Sequence, residues 1–285
     1  MRFVQFDWNG RKAVGVEMKE GGDIVDVTEV DPTVPRNMRD FIQGGAPNLT
    51  AARNAVSSGH FILKRENVKV LAPITNPEKV LCVGMNYKDH CEEQGVPVPE
   101  EPVIFSKFNS SIIGPEDDLV YPEETKQLDW EVELVIVIGK TAKNVKEENA
   151  MDYVFGFTVA HDVSARDWQF KNGGQFLLGK SMDGFCPLGP VIIMKEDIKD
   201  PHNLKLWTRV NGEIKQDSNT DQLVFKTSEL VAFISRFMTL KPGDIILTGT
   251  PPGVGVFRKP PEFLKKGDVV EVGIEGIGTL RNKVV

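Results

Sequence analysis

Two acids sit at alternate positions of one strongly apolar stretch, Leu128-Asp129-Trp130-Glu131-Val132-Glu133-Leu134-Val135-Ile136-Val137-Ile138-Gly139. Its second half is apolar at every position, which predicts one strand over 128–139, buried on both faces. Side chains alternate along a strand, so Glu131 and Glu133 share a face with Cα atoms about 6–7 Å apart. Buried carboxylates need something to offset their charge, and two side by side repel. A divalent cation taking an oxygen from each satisfies both. The alternative is a strand that surfaces at Trp130 and leaves both acids in water.

Asp162 closes the apolar stretch Phe157-Thr158-Val159-Ala160-His161-Asp162 and is the natural third ligand. Its competing role is a cap on the helix that follows. Three carboxylates without a Cys/His cluster select a hard, oxygen-preferring ion, Mg²⁺, Mn²⁺ or Ca²⁺. Three protein ligands leave positions open for a substrate to chelate. His90 and Glu93 lie three apart in the polar, helix-compatible segment 86–95. On a helix they share a face, and a carboxylate beside an imidazole orients it as a general base requires. A solvated acidic helix accounts for the same residues. Lys180 stands in apolar surroundings, Leu177-Leu178-Gly179-Lys180-Ser181, where it could pair with carboxylates or hold a substrate anion.

Residues 174–181 also match the phosphate-loop pattern GxxxxGKS. We reject that reading: a polar helix precedes instead of a strand, Phe176-Leu177-Leu178 is too apolar to cradle phosphate, and Met182-Asp183-Gly184-Phe185-Cys186-Pro187 cannot continue as a helix. The run Thr248-Gly249-Thr250-Pro251-Pro252-Gly253-Val254-Gly255 follows a strand; its free N–H groups with Thr250 could bind a carboxylate, or it is simply a tight turn. Arg166 could pair bidentately with a substrate carboxylate or be a solvated helix charge. Cys82, Cys91 and Cys186 have no base at diagnostic spacing, so a thiol nucleophile is not expected.

These groups require a scaffold of strands. The 285 residues allow one large domain or two unequal ones. A net charge of −7 without a basic stripe argues against nucleic acid or an anionic membrane as partner. An odd set of three cysteines suits reduced thiols in a reducing, intracellular compartment. No apolar run is long enough to span a bilayer, and the start reads as the first strand of a folded domain. Strands are expected over 2–6, 12–18 and 23–27, with helices near 37–42 and 49–57; residues 1–72 form a small α+β domain and 73–285 the larger one. In the larger part, strands are expected at 79–83, 103–107 and 155–162, with helices near 145–153, 165–170 and 228–240, the last capped by Thr227 or Ser228. Asn211-Gly212 marks a hairpin. Many short strands, 26 glycines and 18 prolines point to an α+β, β-rich fold with peripheral helices.

Four motifs carry a resemblance: Gly84-Met85-Asn86-Tyr87-Lys88-Asp89-His90, Asp129-Trp130-Glu131-Val132-Glu133, His161-Asp162-Val163-Ser164-Ala165-Arg166-Asp167 and the run 248–255. In order and approximate spacing, from about Val80 to the C-terminus, they resemble the fumarylacetoacetate hydrolase family. Within it the resemblance is greatest to the mitochondrial members regarded as oxaloacetate tautomerases. It implies a mixed β-roll catalytic domain, a small N-terminal domain and a homodimer. It also implies Mg²⁺ or Mn²⁺ on Glu131, Glu133 and Asp162, with Ca²⁺ as a substitute in crystals. His90 and Glu93 then lie on a lid over the substrate, Lys180 matches the active-site lysine, and Thr250 the carboxylate-binding loop. Lys107, Arg166 and Gln169 match positions lining the site. Asn86 stands near where the namesake hydrolase has a further acidic ligand, so water is expected to complete the sphere here.

The family's chemistry shares an enolate of a small 2-oxo acid, stabilised by the metal. Moving a proton between C3 and oxygen gives keto–enol tautomerisation, and oxaloacetate is the expected substrate. Acylpyruvate-type C–C hydrolysis, with His90 as base, and oxaloacetate decarboxylation are the alternatives. For tautomerisation the proton carrier is His90 or Lys180. A non-catalytic metal-binding scaffold is the rival from another class; a nucleotide-binding protein built on Lys180 is a third reading. The compartment implied is the mitochondrial matrix, or the cytoplasm in the absence of a presequence.

Overall fold

The computed structural model describes residues 1–285. The strand Val132–Ile138 is buried at all seven positions, as its Leu-Val-Ile-Val-Ile run requires. It lies antiparallel between Val154–His161 and Ile245–Leu247, inside a twelve-stranded mixed sheet. From one edge the path runs Ile62–Leu63, Ile24–Asp26, Arg11–Glu17, Arg2–Trp8, Cys186–Met194, Val154–His161, Val132–Ile138, Ile245–Leu247, Val80–Gly84 and Val103–Lys107. A four-stranded antiparallel sheet is ordered Glu213–Asn219, Lys205–Val210, Val269–Ile274, Gly278–Lys283. Ile136 and Val159 of the large sheet share an apolar core with Leu206, Val272 and Leu280 of the small one. The expected α+β, β-rich class is what the chain adopts. Asn211 and Gly212 both take positive φ, 52° and 83°, the geometry a two-residue hairpin needs.

The stretch 128–139 is not the single strand its periodicity predicts. Leu128–Asp129 pairs with Ser164–Ala165 in a separate two-stranded ladder, and Trp130 and Glu131 fall in the gap before Val132. Side-chain bonds make the break. The Asp129 carboxylate accepts from the backbone N–H groups of Trp130 (2.8 Å), Gly255 (2.6 Å) and Val256 (3.0 Å). The fully buried Trp130 donates its indole N–H to the Gly253 carbonyl (3.1 Å). These polar anchors compete with the sheet ladder for the chain.

Arg2–Trp8 pairs with Cys186–Met194, with Phe3 opposite Ile192, so the first strands are continuous with the large sheet. Phe3, Val14 and Phe41 share a core with Val135 and Leu247. The helices expected near 37–42 and 49–57 are Met38–Gln43, capped by Asn37, and Ala46–Ser58, and a one-turn helix, Val27–Val30, precedes them. The segment expected as a helix at 145–153 is a 3₁₀ turn, Glu147–Tyr153. The helix near 165–170 shrinks to Arg166–Gln169 because Asn172 takes positive φ just beyond it. The helix expected over 228–240 runs Thr227–Phe237. Neither Thr227 nor Ser228 caps it; Glu229 accepts the Lys226 N–H instead (2.9 Å).

Candidate active site

Strand register brings the three acids together. Glu133 projects from the central strand, Glu131 from the gap before it, and Asp162 follows the end of Val154–His161, where Val132 faces His161. The Asp162 N–H donates to the Glu131 carbonyl (2.9 Å), fixing the two backbones. One carboxylate oxygen from each of Glu131, Glu133 and Asp162 lies within 4.8 Å of the others, and all three residues are buried.

Three cations face them. Lys180 Nζ donates to Glu131 Oε2 (2.7 Å) and Asp162 Oδ2 (3.0 Å). Lys107 Nζ donates to Asp162 Oδ1 (2.5 Å) and to the carbonyls of Val163 (3.2 Å) and Lys180. Arg166 reaches Asp129 through Nε (2.8 Å), Glu131 through Nη2 (2.6 Å) and Gln169 through Nη1 (2.8 Å). Burial works to raise the Glu131 pKa, but Lys180 and Arg166 prevail and hold it at about 2. Burial opposes the Lys180 charge, yet Asp162 and Glu131 outweigh it and lift the pKa to about 12. Glu133 is the exception. Burial, then Asp162 and Glu131, push it well above the usual carboxylate range, and its one hydrogen bond comes from the Gly249 N–H (2.7 Å).

That imbalance is the test of whether the residues suit a metal. Asp129, Glu131, Glu133 and Asp162 carry one more negative charge than Lys107, Lys180 and Arg166 offset, and the surplus falls on Glu133. A divalent cation on converging oxygens removes it and leaves the site net positive, which suits an anionic substrate. The residues fit the ion.

His90 sits on the helix Lys88–Gln94, closed by Gly95 at φ 66°. Its Nδ1 meets Glu93 Oε2 at 2.8 Å and its Nε2 meets Gln94 Nε2 at 2.8 Å. Glu93 accepts, so Nδ1 carries the proton and Nε2 keeps its lone pair. The other Glu93 oxygen accepts from the Gly253 N–H (2.9 Å), tying this helix to the 248–255 run. A cavity of about 260 Å³ joins the parts. Its lining includes the polar residues His90, Gln94, Glu131, Glu133, Arg166, Gln169, Lys180 and Thr250 and the apolar Val83, Phe105, Phe176 and Phe257.

Seven of the ten residues singled out from sequence line this cavity, and Glu93 and Asp162 are bonded to its lining through His90 and Lys180. Lys107 does not line the cavity; it stands behind Asp162 with its ammonium committed there. Three Arg166 N–H groups go to protein partners, so the guanidinium is chiefly a brace for Asp129 and Glu131. The Thr250 hydroxyl donates to the Val132 carbonyl (3.0 Å). Asn86 is no metal ligand: its amide donates to the carbonyls of Thr248 (2.7 Å) and Phe225 (3.0 Å) and accepts the Phe225 N–H (2.8 Å), work a carboxylate cannot do. The chain leaves the helix Phe176–Lys180 at Ser181, so no phosphate loop forms. Cys82, Cys91 and Cys186 are free and buried; burial pushes the Cys186 thiol up to about 12. Sequence reading missed Asp129, whose motif position was the available signal. It also missed Gln94 and Gln216, and nothing local marks Gln216.

A sheet-rich scaffold holding a buried trio of oxygen ligands over a cavity, beside a His–Glu pair, defines a metal-dependent enzyme. The family model for the fumarylacetoacetate (FAA) hydrolase C-terminal region matches residues 79–285. The chain is 58% identical over 288 residues to oxaloacetate tautomerase fahd2, mitochondrial, of Xenopus laevis, covering 100% of this chain and 90% of that protein. Among solved structures it is similar to fumarylacetoacetate hydrolase from psychrophilic Exiguobacterium antarcticum, at 39% identity and TM-score 0.84, covering 100% and 99% of the two chains. It is also similar to maleylpyruvate hydrolase from Sphingobium, solved with manganese(II) and pyruvate, at 30% identity and TM-score 0.83, with the same coverage. The chain belongs to the fumarylacetoacetate hydrolase family.

Proposed function

We propose that the enzyme is an oxaloacetate keto–enol tautomerase. The observation that carries this is the single cavity lined by His90, Lys180, Glu131 and Glu133 together, with Asp162, the third acid of the trio, bonded to Lys180. The name of the Xenopus laevis relative supports the choice of substrate. Glu131, Glu133 and Asp162 hold Mg²⁺ or Mn²⁺, the ions that hard oxygen donors favour. When bound, the ion supplies Lewis-acid stabilisation of negative charge on the substrate's 2-oxygen. Lys180, whose ammonium already donates to Glu131 and Asp162, adds a hydrogen-bond donor for that charge. The proton transfer is assigned to His90 Nε2, with Glu93 holding Nδ1–H. In the enol-to-keto direction Nε2 takes the 2-hydroxyl proton and delivers it to C3, so the ring ends as it began and no co-reactant is consumed. Thr250 and its loop face the substrate carboxylate, and Gln169 steadies Arg166. Lys107 holds Asp162 from behind.

Stopped-flow decay of enol-oxaloacetate absorbance tests the reading. Acceleration over buffer is expected with Mg²⁺ and lost with chelator; no acceleration in either condition removes the proposal. In the same assay His90→Ala is expected to fall roughly 10²-fold or more with Mg²⁺ uptake intact. Undiminished activity in that variant excludes His90 as the proton carrier. The apolar residues of the cavity lining favour acylpyruvate hydrolysis as the second reading, distinguished by release of pyruvate from acetylpyruvate.

The division into 1–72 and 73–285 is proposed alongside. The family match begins at 79, and every cavity-lining residue lies beyond 82. A homodimer is proposed because Phe108, Phe170, Phe176, Leu177 and Leu178 are exposed near the strand Val103–Lys107, an apolar patch suited to a second copy. No helix is long and apolar enough to cross a membrane. The mitochondrial matrix is the proposed compartment, on the strength of the relatives' names.

A further inference from the structure

We infer that Gln216 is a positioning residue that sets the metal ligands and the 248–255 run against each other. It comes from the strand Glu213–Asn219 of the small sheet and is 1% exposed. Every hydrogen-bonding position of its amide is used. Oε1 accepts from the Val132 N–H (3.0 Å) and the Thr208 hydroxyl (2.7 Å). Nε2 donates to Thr250 Oγ1 (2.9 Å) and to the Pro251 carbonyl (2.8 Å). Val132 is the residue between Glu131 and Glu133, and its own carbonyl receives the Thr250 hydroxyl (3.0 Å). One amide thus closes a ring through the backbone that spaces two metal ligands and the loop that faces the substrate.

A second observation reaches the base. Gly253 packs so closely on this strand that a Cβ there would lie 2.2 Å from the Lys215 carbonyl oxygen and 3.2 Å from Gln216 Cα. The Gly253 N–H then holds Glu93, which orients His90. Displacing the Gln216 strand therefore moves both halves of the site. Glutamate cannot replace it, because a carboxylate has no proton for the Pro251 carbonyl, and methionine keeps the length while losing all four bonds.

The inference rests on the metal reading, so wild-type protein is the internal control. Calorimetric Mg²⁺ titration is run on wild type, Gln216→Met, Thr208→Val, and Leu280→Val, a fully buried position of the same sheet away from the ring. Gln216→Met is expected to weaken Mg²⁺ binding about 10–100-fold, the usual effect of losing a partner behind the ligands. Thr208→Val, which removes one of the four bonds, falls in the same direction by less. Leu280→Val lowers the melting temperature without changing Mg²⁺ affinity. The KM for enol-oxaloacetate rises in Gln216→Met as the loop is released. Wild-type affinity in Gln216→Met overturns the inference alone; should that variant not fold, wild-type affinity in Thr208→Val overturns it instead. No uptake by wild type overturns the metal reading and this inference together.

Discussion

Glu133→Gln is expected to abolish Mg²⁺ uptake and to lower tautomerisation by about three powers of ten or more, while making the metal-free protein more stable. The two effects have opposite signs for one reason. Burial and the neighbouring Asp162 and Glu131 raise the Glu133 pKa in the folded chain, so its charged form is disfavoured there. A raised folded pKa contributes stability that is complete below the ordinary value of 4.5 and is lost as pH rises through the folded value. Metal-free wild type should therefore lose melting temperature on that climb, and Glu133→Gln should not, because a neutral amide still accepts the Gly249 N–H. Glu131 runs the other way: held at about 2, it stabilises above 4.5 and ceases to do so as pH falls toward 2. Thermal melts of metal-free protein from about pH 2 to about pH 8, with Mg²⁺ titrations at neutral pH alongside, check both signs. A metal-free variant that melts below wild type at pH 8 would show that Glu133 is not the strained member of the trio.

Lys180→Met should produce the largest loss of stability in the metal-free state, about 3–5 kcal/mol, the usual result of removing one member of a buried ion pair. The ammonium is 3% exposed and bridges Glu131 and Asp162. Without it both carboxylates lose a cation that burial makes hard to replace. Mg²⁺ supplies positive charge to the same oxygens, so the rise in melting temperature on adding Mg²⁺ should be larger in the variant than in wild type. Catalysis should nonetheless fall by roughly 10²–10³-fold with Mg²⁺ saturating, since a donor to the developing oxyanion is gone. Denaturant unfolding with and without Mg²⁺ measures the first effect, and kcat at saturating Mg²⁺ the second. Equal stability of variant and wild type in chelator would mean that the lysine is not a structural counter-charge.

The convergence of the acidic trio was legible because strand alternation and burial are both written locally. Val132 to Ile138 announces a central strand, and the acids at its mouth stand out against it. The His90–Glu93 pair was legible through helical spacing. What the chain does at Trp130 was not, because the bonds that break the strand come from Asp129 to backbone N–H groups more than a hundred positions away. Gln216 was invisible for the same reason: its partners include two peptide groups, which have no residue type to read. Arg166 shows the converse limit. Its type suits a substrate carboxylate, and only the geometry gives its donors to Asp129, Glu131 and Gln169.

The pairing of Phe3 with Ile192 also bears on biosynthesis. The strand Arg2–Trp8 acquires this neighbour only once the distant segment Cys186–Met194 has been made. Contacts so distant along the chain are slow to form, and an unpaired hydrophobic edge is open to wrong partners in the interval. Nascent chains of this enzyme therefore have reason to depend on chaperones until Cys186–Met194 has emerged.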